Sequence, residues 1–154
     1  MIASWWALTT RPVRRLLRWA LSTARSMGSE VEVFHAFESS VAWIDVGSRD
    51  APQMAEHDQH EADALTRRVV DEVLDSVDAD LRGVPVSVHA VRGHPPRVLL
   101  DAASEADLLV GGSRGRGGFA GVLLGSVSQR VAQHAVCPVV IVPGWAQSPV
   151  RCRR

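Results

Sequence analysis

The sequence predicts a single α/β domain built around a parallel β-sheet, and three observations support this fold class. Segments with the hydrophobic period of a helix alternate with segments that have the pattern of a strand. The late strands, Leu108–Val110 and Val139–Val142, are almost continuously apolar, which is typical of strands covered by helices on both faces. A length of 154 residues with 46% apolar content fits one domain with a substantial core.

The first part of the chain contains a strand, a helix and a second strand. Ile2–Leu8 is short and apolar, and it is the only strand candidate before the first helix. Residues 12–27 repeat apolar side chains at helical spacing, and Gly28 suits the end of that helix. Residues 30–37 alternate between two faces and therefore form a strand, whereas residues 38–52 have the composition of a loop.

The remaining elements continue this alternation and bring the order to β-α-β-α-β-α-β-α-β. Gly83-Val84-Pro85 interrupts the longest helical pattern, and Gly93 lies in the turn ahead of the next helix. The predicted elements are a helix over 53–81, a strand over 86–91, a short helix through 104, a strand over 107–112, a helix from 126 and a strand over 138–142.

Composition excludes several classes of protein. The 17 arginines balance 17 acidic residues, so the formal net charge is zero and no overall field attracts nucleic acid or an anionic membrane. Cys137 and Cys152 do not form a metal-binding or redox pair of the CxxC type. The N-terminus lacks the basic region of a signal peptide, and no apolar run approaches the roughly 20 residues of a membrane span. We therefore expect a cytoplasmic protein that binds neither nucleic acid nor membrane.

The most informative segment is the glycine-rich stretch between the strand over 107–112 and the helix that begins at Ser126. Its glycines are Gly111, Gly112, Gly115, Gly117, Gly118, Gly121 and Gly125. A backbone without side chains can approach an anion closely, and the N–H groups and dipole of a first helical turn favour negative charge. The stretch contains neither a Walker A loop nor the early GxGxxG of a Rossmann fold. It therefore predicts a phosphate-binding loop of another type.

The spacing within this stretch is specific. Gly112-x2-Gly115-x9-Gly125-Ser126, followed by a helix and an apolar strand, resembles the ATP-binding signature of the universal stress protein family. The resemblance continues over nearly the whole chain from Arg18. It implies a doubly wound parallel five-stranded sheet in the order 3-2-1-4-5, of the adenine nucleotide alpha hydrolase-like type. In such a sheet the ligand binds outside the carboxyl ends of the strands, where the winding direction reverses between strands one and four.

The resemblance also implies a domain boundary, a ligand and a set of binding residues. The domain is expected over residues 1–146, with an atypical first strand in residues 1–10, and an Arg-rich tail over 147–154. The implied ligand is ATP, with or without Mg²⁺; the glycine loop and a hydroxyl such as that of Ser126 hold its phosphates, and Ala36 lies beside the adenine. The implied nucleotide-binding residues are Ala36, Gly111, Gly112, Arg114, Gly115, Gly125, Ser126 and Val127.

The chain departs from the family pattern at the end of its first strand. Family members that bind ATP typically have an acidic residue there that contacts the ribose, and in this chain the position falls on Leu8. Trp5 and Trp6 occupy positions where the family favours smaller aliphatic residues. Arg114 and Arg116 flank the loop glycines and have two equally supported interpretations, as phosphate ligands or as ordinary exposed arginines.

The last strand predicts a homodimer. In the implied order Val139–Val142 is an edge strand, and it is apolar, β-branched and without any charged residue. An unprotected apolar edge is a template for pairing, and a two-fold contact between identical edges closes a dimer. The alternative is that residues 143–154 fold back and Trp145 covers the edge of a monomer.

The predicted function is stress-associated sensing or regulation through ATP binding without turnover. No nucleophile is placed at recognisable spacing from a base and an orienting acid, so the sequence predicts no enzyme. Two alternatives stay open. One is a family member that does not bind nucleotide and acts as a dimerisation or protein-interaction module, which Trp6 and Leu8 favour; the weaker one is a phosphotransfer or hydrolytic enzyme.

Four histidines are candidates for functional residues. His57 and His60 lie three residues apart on a helical pattern, but a solvated acidic helix face explains them better than a metal site, and no metal is predicted. His35 alternates with core valines and is predicted to be buried and hydrogen-bonded. His94 is placed near the site by analogy with the family alone.

Overall fold

A computed structural model describes residues 2–5, 10–38, 51–113 and 124–143. Its strands are β1 (Ile2–Trp5), β2 (Val31–Phe37), β3 (Val86–Arg92), β4 (Leu109–Gly112) and β5 (Val139–Val142). Its helices are α1 (Thr10–Met27), α2 (Ala51–Ser76), α3 (Ala79–Arg82), α4 (Pro95–Ala103) and α5 (Ser126–His134).

The strands form one parallel sheet in the order β3-β2-β1-β4-β5. The central strand β1 aligns Ala3 with Val33 of β2 on one side and with Val110 of β4 on the other. Because parallel neighbours need crossover connections, the helices between them are brought onto the faces of the sheet. The alternating hydrophobic patterns therefore identified the α/β class correctly.

Helices cover both faces of the sheet. On one face α1 and α2 form the larger core, which includes Leu16, Leu17, Leu21, Val31, Val33, Val70, Val73 and Val110. On the other face α4 and α5 pack on β4 through Leu99, Ala103, Leu109, Val127 and Val131. Since side chains alternate along a strand, His35 lies on the α2 face of β2 and Ala36 on the α4 face.

Helix α1 ends where the sequence predicts. Gly28 has φ 63°, its N–H donates to the carbonyl of Arg25 at 3.3 Å, and the N–H of Ser29 donates to the carbonyl of Ala24 at 2.9 Å. These two bonds form a Schellman motif, which satisfies carbonyls that the helix leaves without partners. No atom lies within 4 Å of the position that a Cβ would take at Gly28. The glycine is therefore required by the left-handed backbone and not by lack of space.

The longest predicted helix is divided in the structure. It begins earlier than expected, at Ala51, and α2 ends at Ser76, with α3 starting at Ala79. Asp78 has ψ 151° and precedes α3 as its N-cap residue, but its side chain makes no capping hydrogen bond. The buried side chain of Val77 continues the apolar period across the break, which explains why the pattern looked uninterrupted.

Some sequence predictions fall outside the described residues. They include Trp6, Leu8, Arg114, Gly115, Arg116, Gly117, Gly118, Gly121, Trp145, Cys152 and the tail over 147–154. β1 accounts for the first half of the predicted strand over residues 2–8. Within the described part of the chain, no helix combines the length and the apolar character needed to cross a membrane.

Candidate functional site

A cleft of about 950 Å³ opens at the carboxyl edge of the sheet. It is lined by the end of β2 from His35 to Glu38, by α2 from Asp58 to Leu65, and by the first residues of α4 and α5. Because α2 packs on one face of the sheet and α4 and α5 on the other, the cleft runs across the sheet edge. In parallel α/β sheets this edge is where ligands bind.

The first turn of α5 opens into the cleft through Ser126 and Val127. The N–H of Gln129 is bonded to the carbonyl of Gly125 at 2.9 Å, and the N–H groups ahead of it belong to the turn that has no intrahelical acceptors. These N–H groups and the positive end of the helix dipole favour an anion. The start of α5 can therefore bind a phosphate.

Hydrogen bonds hold the start of α5 against the end of β4. The hydroxyl of Ser128 donates to the carbonyl of Gly112 at 2.6 Å. The N–H of Gly125 donates to the carbonyl of Ser113 at 2.8 Å, and the N–H of Ser113 donates to the carbonyl of Val142 at 3.0 Å. The orientation of the first turn is therefore fixed by the end of the sheet.

The start of α4 also lines the cleft but is a poor anion site. Pro95 and Pro96 have no N–H, and the N–H groups of Arg97 and Val98 are both bonded to the carbonyl of His94, at 3.0 and 3.2 Å. The N–H of Gly93 donates to the carbonyl of Phe37 at 2.8 Å and holds this turn beside β2. Of the two helices that begin at the cleft, only α5 therefore has backbone N–H groups in its first turn that are available to bind an anion.

His35 and Thr66 form a buried polar contact at the inner side of the cleft. His35 is 5% exposed and Thr66 is 0% exposed. The Thr66 hydroxyl donates to the carbonyl of Ala62 at 2.5 Å, so its oxygen accepts from the Nδ1–H of His35 at 2.8 Å. This geometry assigns the proton of the contact to Nδ1 and fixes the ring plane. The prediction that His35 is buried and hydrogen-bonded is confirmed.

The lining combines apolar surface with charges of both signs. Ala62 and Leu65 of α2 and the two prolines of α4 supply apolar surface of the kind that a flat base requires. Carboxylates enter from Glu38, Asp58 and Glu61, whereas Arg130 of α5 contributes a positive charge. None of these four charged residues is among the binding residues that the sequence predicts. Only the position of Arg130 four residues after Ser126, on the same helix face, could have indicated it.

The structure brings together part of the predicted site. Ala36, Ser126 and Val127 line the cleft, and so does His94, which only family analogy had placed there. Gly111 and Gly112 end β4, and Gly125 precedes α5; all three lie in the framework that positions the first turn. Arg114 and Gly115 lie outside the described residues.

A second cavity and the histidine pair do not form metal sites. The cavity, of about 730 Å³, lies at the amino edge of the sheet and is lined by Glu30, Glu32 and Glu105 among others. Exposed His60 is bonded through Nδ1 to the carbonyl of Glu56 at 2.9 Å. Across residues 2–5, 10–38, 51–113 and 124–143, no group of three or more His, Cys, Asp or Glu side chains is arranged to hold a metal ion.

Comparison with known sequences identifies relatives over most of the chain. The family model for universal stress proteins matches residues 10–143. A universal stress protein of Mycolicibacterium smegmatis is 39% identical over 127 residues, which are 76% of this chain and 42% of the relative. One of Thermus aquaticus is 34% identical over 129 residues, which are 80% of this chain and 84% of the relative. The chain thus spans less than half the length of several curated relatives, the mycobacterial proteins among them.

Solved structures share the fold at low identity. The universal stress protein UspA from Lactobacillus plantarum superposes with a TM-score of 0.71 at 18% identity, covering 92% of this chain and 94% of the other. A universal stress protein in complex with cAMP gives 0.60 at 23% identity, covering 93% and 94%. A family protein from Arabidopsis thaliana with AMP bound gives 0.57 at 21% identity, covering 92% and 89%.

Proposed function

The chain belongs to the universal stress protein family, and on that premise we propose that it binds an adenine nucleotide in the cleft at the carboxyl edge of its sheet. The ligand is ATP, and the protein acts as a sensor or regulator of the stress response without turning the nucleotide over. We place this activity in a domain over residues 1–146 of a cytoplasmic protein.

The observation that carries the proposal is the first turn of α5. It presents the backbone donors of Ser126 and Val127 to a cleft that also contains apolar surface. A nucleotide needs both features, an anion site for its phosphate and a flat apolar surface for its base. Two structural neighbours, crystallised with cAMP and AMP, support an adenine nucleotide as the class of ligand. The glycine spacing from Gly112 to Gly125 supports ATP within that class.

We also propose that the protein is a homodimer that pairs through β5. This strand lies at one end of the sheet order, next to β4. Its four residues are all aliphatic and half-buried, so the edge carries no charge that would oppose pairing. A two-fold contact between two copies of β5 would extend each sheet into the other.

The proposal is tested by calorimetric titration of the purified protein with ATP, AMP and cAMP, together with an absorbance spectrum for nucleotide that copurifies. The test variant is Ser126→Asp. A carboxylate in the first turn suits the helix dipole, with an expected gain of about 0.3–1 kcal/mol in stability. The same carboxylate repels a phosphate, so we expect affinity for ATP to fall at least about tenfold.

Gln129→Asp is the matched control because it adds the same charge to the same helix at an exposed residue that does not line the cleft. We expect this variant to bind ATP within about twofold of the wild type. Equal weakening by both substitutions would show that the effect is not local to the cleft. If the wild type binds none of the three nucleotides at millimolar concentration, nucleotide binding is refuted and the protein-interaction module is favoured.

A further inference from the structure

Arg130 occupies a position from which it can act on the same ligand as the first turn of α5. It follows Ser126 by four residues, so both side chains lie on one face of the helix, and both line the cleft. The Arg130 side chain is exposed to solvent. Its guanidinium can therefore move toward a bound anion without disturbing the core.

Arg130 forms no ion pair with any other residue that the structure describes. Among the described residues, ion pairs join Arg14 and Arg68 to Glu72, Arg18 to Asp78, and Arg25 to Asp80. The cleft contains three carboxylates, yet within the described residues none of them lies within 4.0 Å of the Arg130 guanidinium. The guanidinium therefore does not neutralise a neighbouring carboxylate.

The charges of the cleft come from different elements. The carboxylates belong to Glu38, which follows β2, and to Asp58 and Glu61 of α2, whereas Arg130 belongs to α5. A guanidinium binds phosphate oxygens through two parallel N–H bonds, and carboxylates repel them. A ligand with one anionic end is therefore driven to bind with that end at α5.

We propose that Arg130 binds the phosphate of the nucleotide and that the Glu61 carboxylate of α2 disfavours phosphate at the other end of the cleft, so that the ligand prefers one orientation. The assignment rests on the proposed function. Arg130 recognises the phosphate, and other residues recognise the nucleoside.

The test compares adenosine, AMP and ATP as competitors of a fluorescent adenine nucleotide on the intact chain. We expect Arg130→Gln to weaken AMP and ATP about ten- to a hundredfold, the effect of one lost charge-assisted hydrogen bond, and to leave adenosine within twofold. Arg130→Lys keeps the charge without the planar fork and should recover part of the loss. Arg97→Gln is the control, because it removes one exposed arginine of α4 that lines a different groove.

Glu61→Gln tests the other half of the proposal. Removing this exposed carboxylate should strengthen ATP binding by up to about fivefold, with a smaller effect on adenosine. Unchanged or weaker ATP binding would overturn the role of α2. The ³¹P resonance of bound AMP provides a second measurement for Arg130, and its shift on binding should be smaller in Arg130→Gln than in the wild type.

The outcomes separate this proposal from the one on which it rests. If the wild type binds no nucleotide, the proposed function fails and the role of Arg130 fails with it. If the wild type binds but Arg130→Gln weakens adenosine as much as AMP, or has no more effect than Arg97→Gln, then the assignment of Arg130 alone is wrong.

Discussion

Replacing Thr66 by valine tests the buried contact that holds His35 at the cleft. Valine keeps the shape of threonine and removes the hydroxyl, which accepts from the Nδ1–H of His35 at 2.8 Å. Both side chains are buried, so water cannot replace the lost acceptor without a rearrangement. The carbonyl of Ala62 loses its bond from the hydroxyl as well, but it remains an acceptor within α2.

The expected loss of stability follows from the lost hydrogen bond between Thr66 and His35. Removing one partner of a buried hydrogen bond costs about 1–3 kcal/mol of unfolding free energy. For a domain of this size each kcal/mol lowers Tm by about 2–4 °C. Thr66→Ser is the control for packing, because it keeps the hydroxyl and loses only a methyl group, which costs about 1 kcal/mol.

Urea unfolding followed by circular dichroism measures each variant, and the double mutant His35→Phe/Thr66→Val completes a cycle. The cycle isolates the interaction between the two side chains from their other contacts. We expect a coupling energy of about 1–2 kcal/mol. A coupling below about 0.5 kcal/mol, the range in which independent sites add, would refute the hydrogen bond and the assignment of the Nδ1 proton.

Three further substitutions test other parts of the structure. Gly28→Ala should lose about 1–2 kcal/mol in the same urea assay, since φ of 63° is left-handed; an unchanged midpoint would contradict the Schellman ending of α1. Ile141→Lys places a charge on β5 and should give a soluble monomer by light scattering, whereas a wild type that is already monomeric at micromolar concentration would exclude the β5 dimer. Leu8→Asp restores the family's ribose-contacting carboxylate and should tighten ATP binding about ten- to a hundredfold in calorimetry; unchanged affinity would show that this position does not reach the ribose.

The parts of the fold that sequence predicted well are those with a local cause. The end of α1 was placed at Gly28 because a glycine in the left-handed conformation is a local requirement. The sequence does not predict the break between α2 and α3, because Val77 is buried and continues the apolar period across it. The extended backbone of Asp78 does not change that period. Periodicity reports which residues face the core and is insensitive to a short interruption of the helix between them.

The candidate site was predicted in part for a similar reason. Ser126 and Val127 follow from the glycine spacing, which is contiguous in the chain, and the cleft includes both. Glu61 and Arg130 lie on helices that pack on opposite faces of the sheet, and they share a cleft only because both helices reach the same sheet edge. Residue spacing within one segment cannot predict that two helices reach the same sheet edge. The charged residues of the cleft could therefore be identified only from the structure.

Under the proposed function, position 8 and the first turn of α5 act on different ends of the nucleotide, the ribose and the phosphate. A missing hydrogen bond to the ribose lowers affinity by about ten- to a hundredfold, whichever group binds the phosphate. The donors of the first turn of α5 are backbone N–H groups, held in place by the bond from Ser128 to Gly112. Substitutions at 8 and at 126 should therefore contribute additively to the binding free energy of ATP, because they act on independent groups. A strong coupling between Leu8→Asp and Ser126→Asp would instead show that the first strand and α5 hold the ligand as one unit.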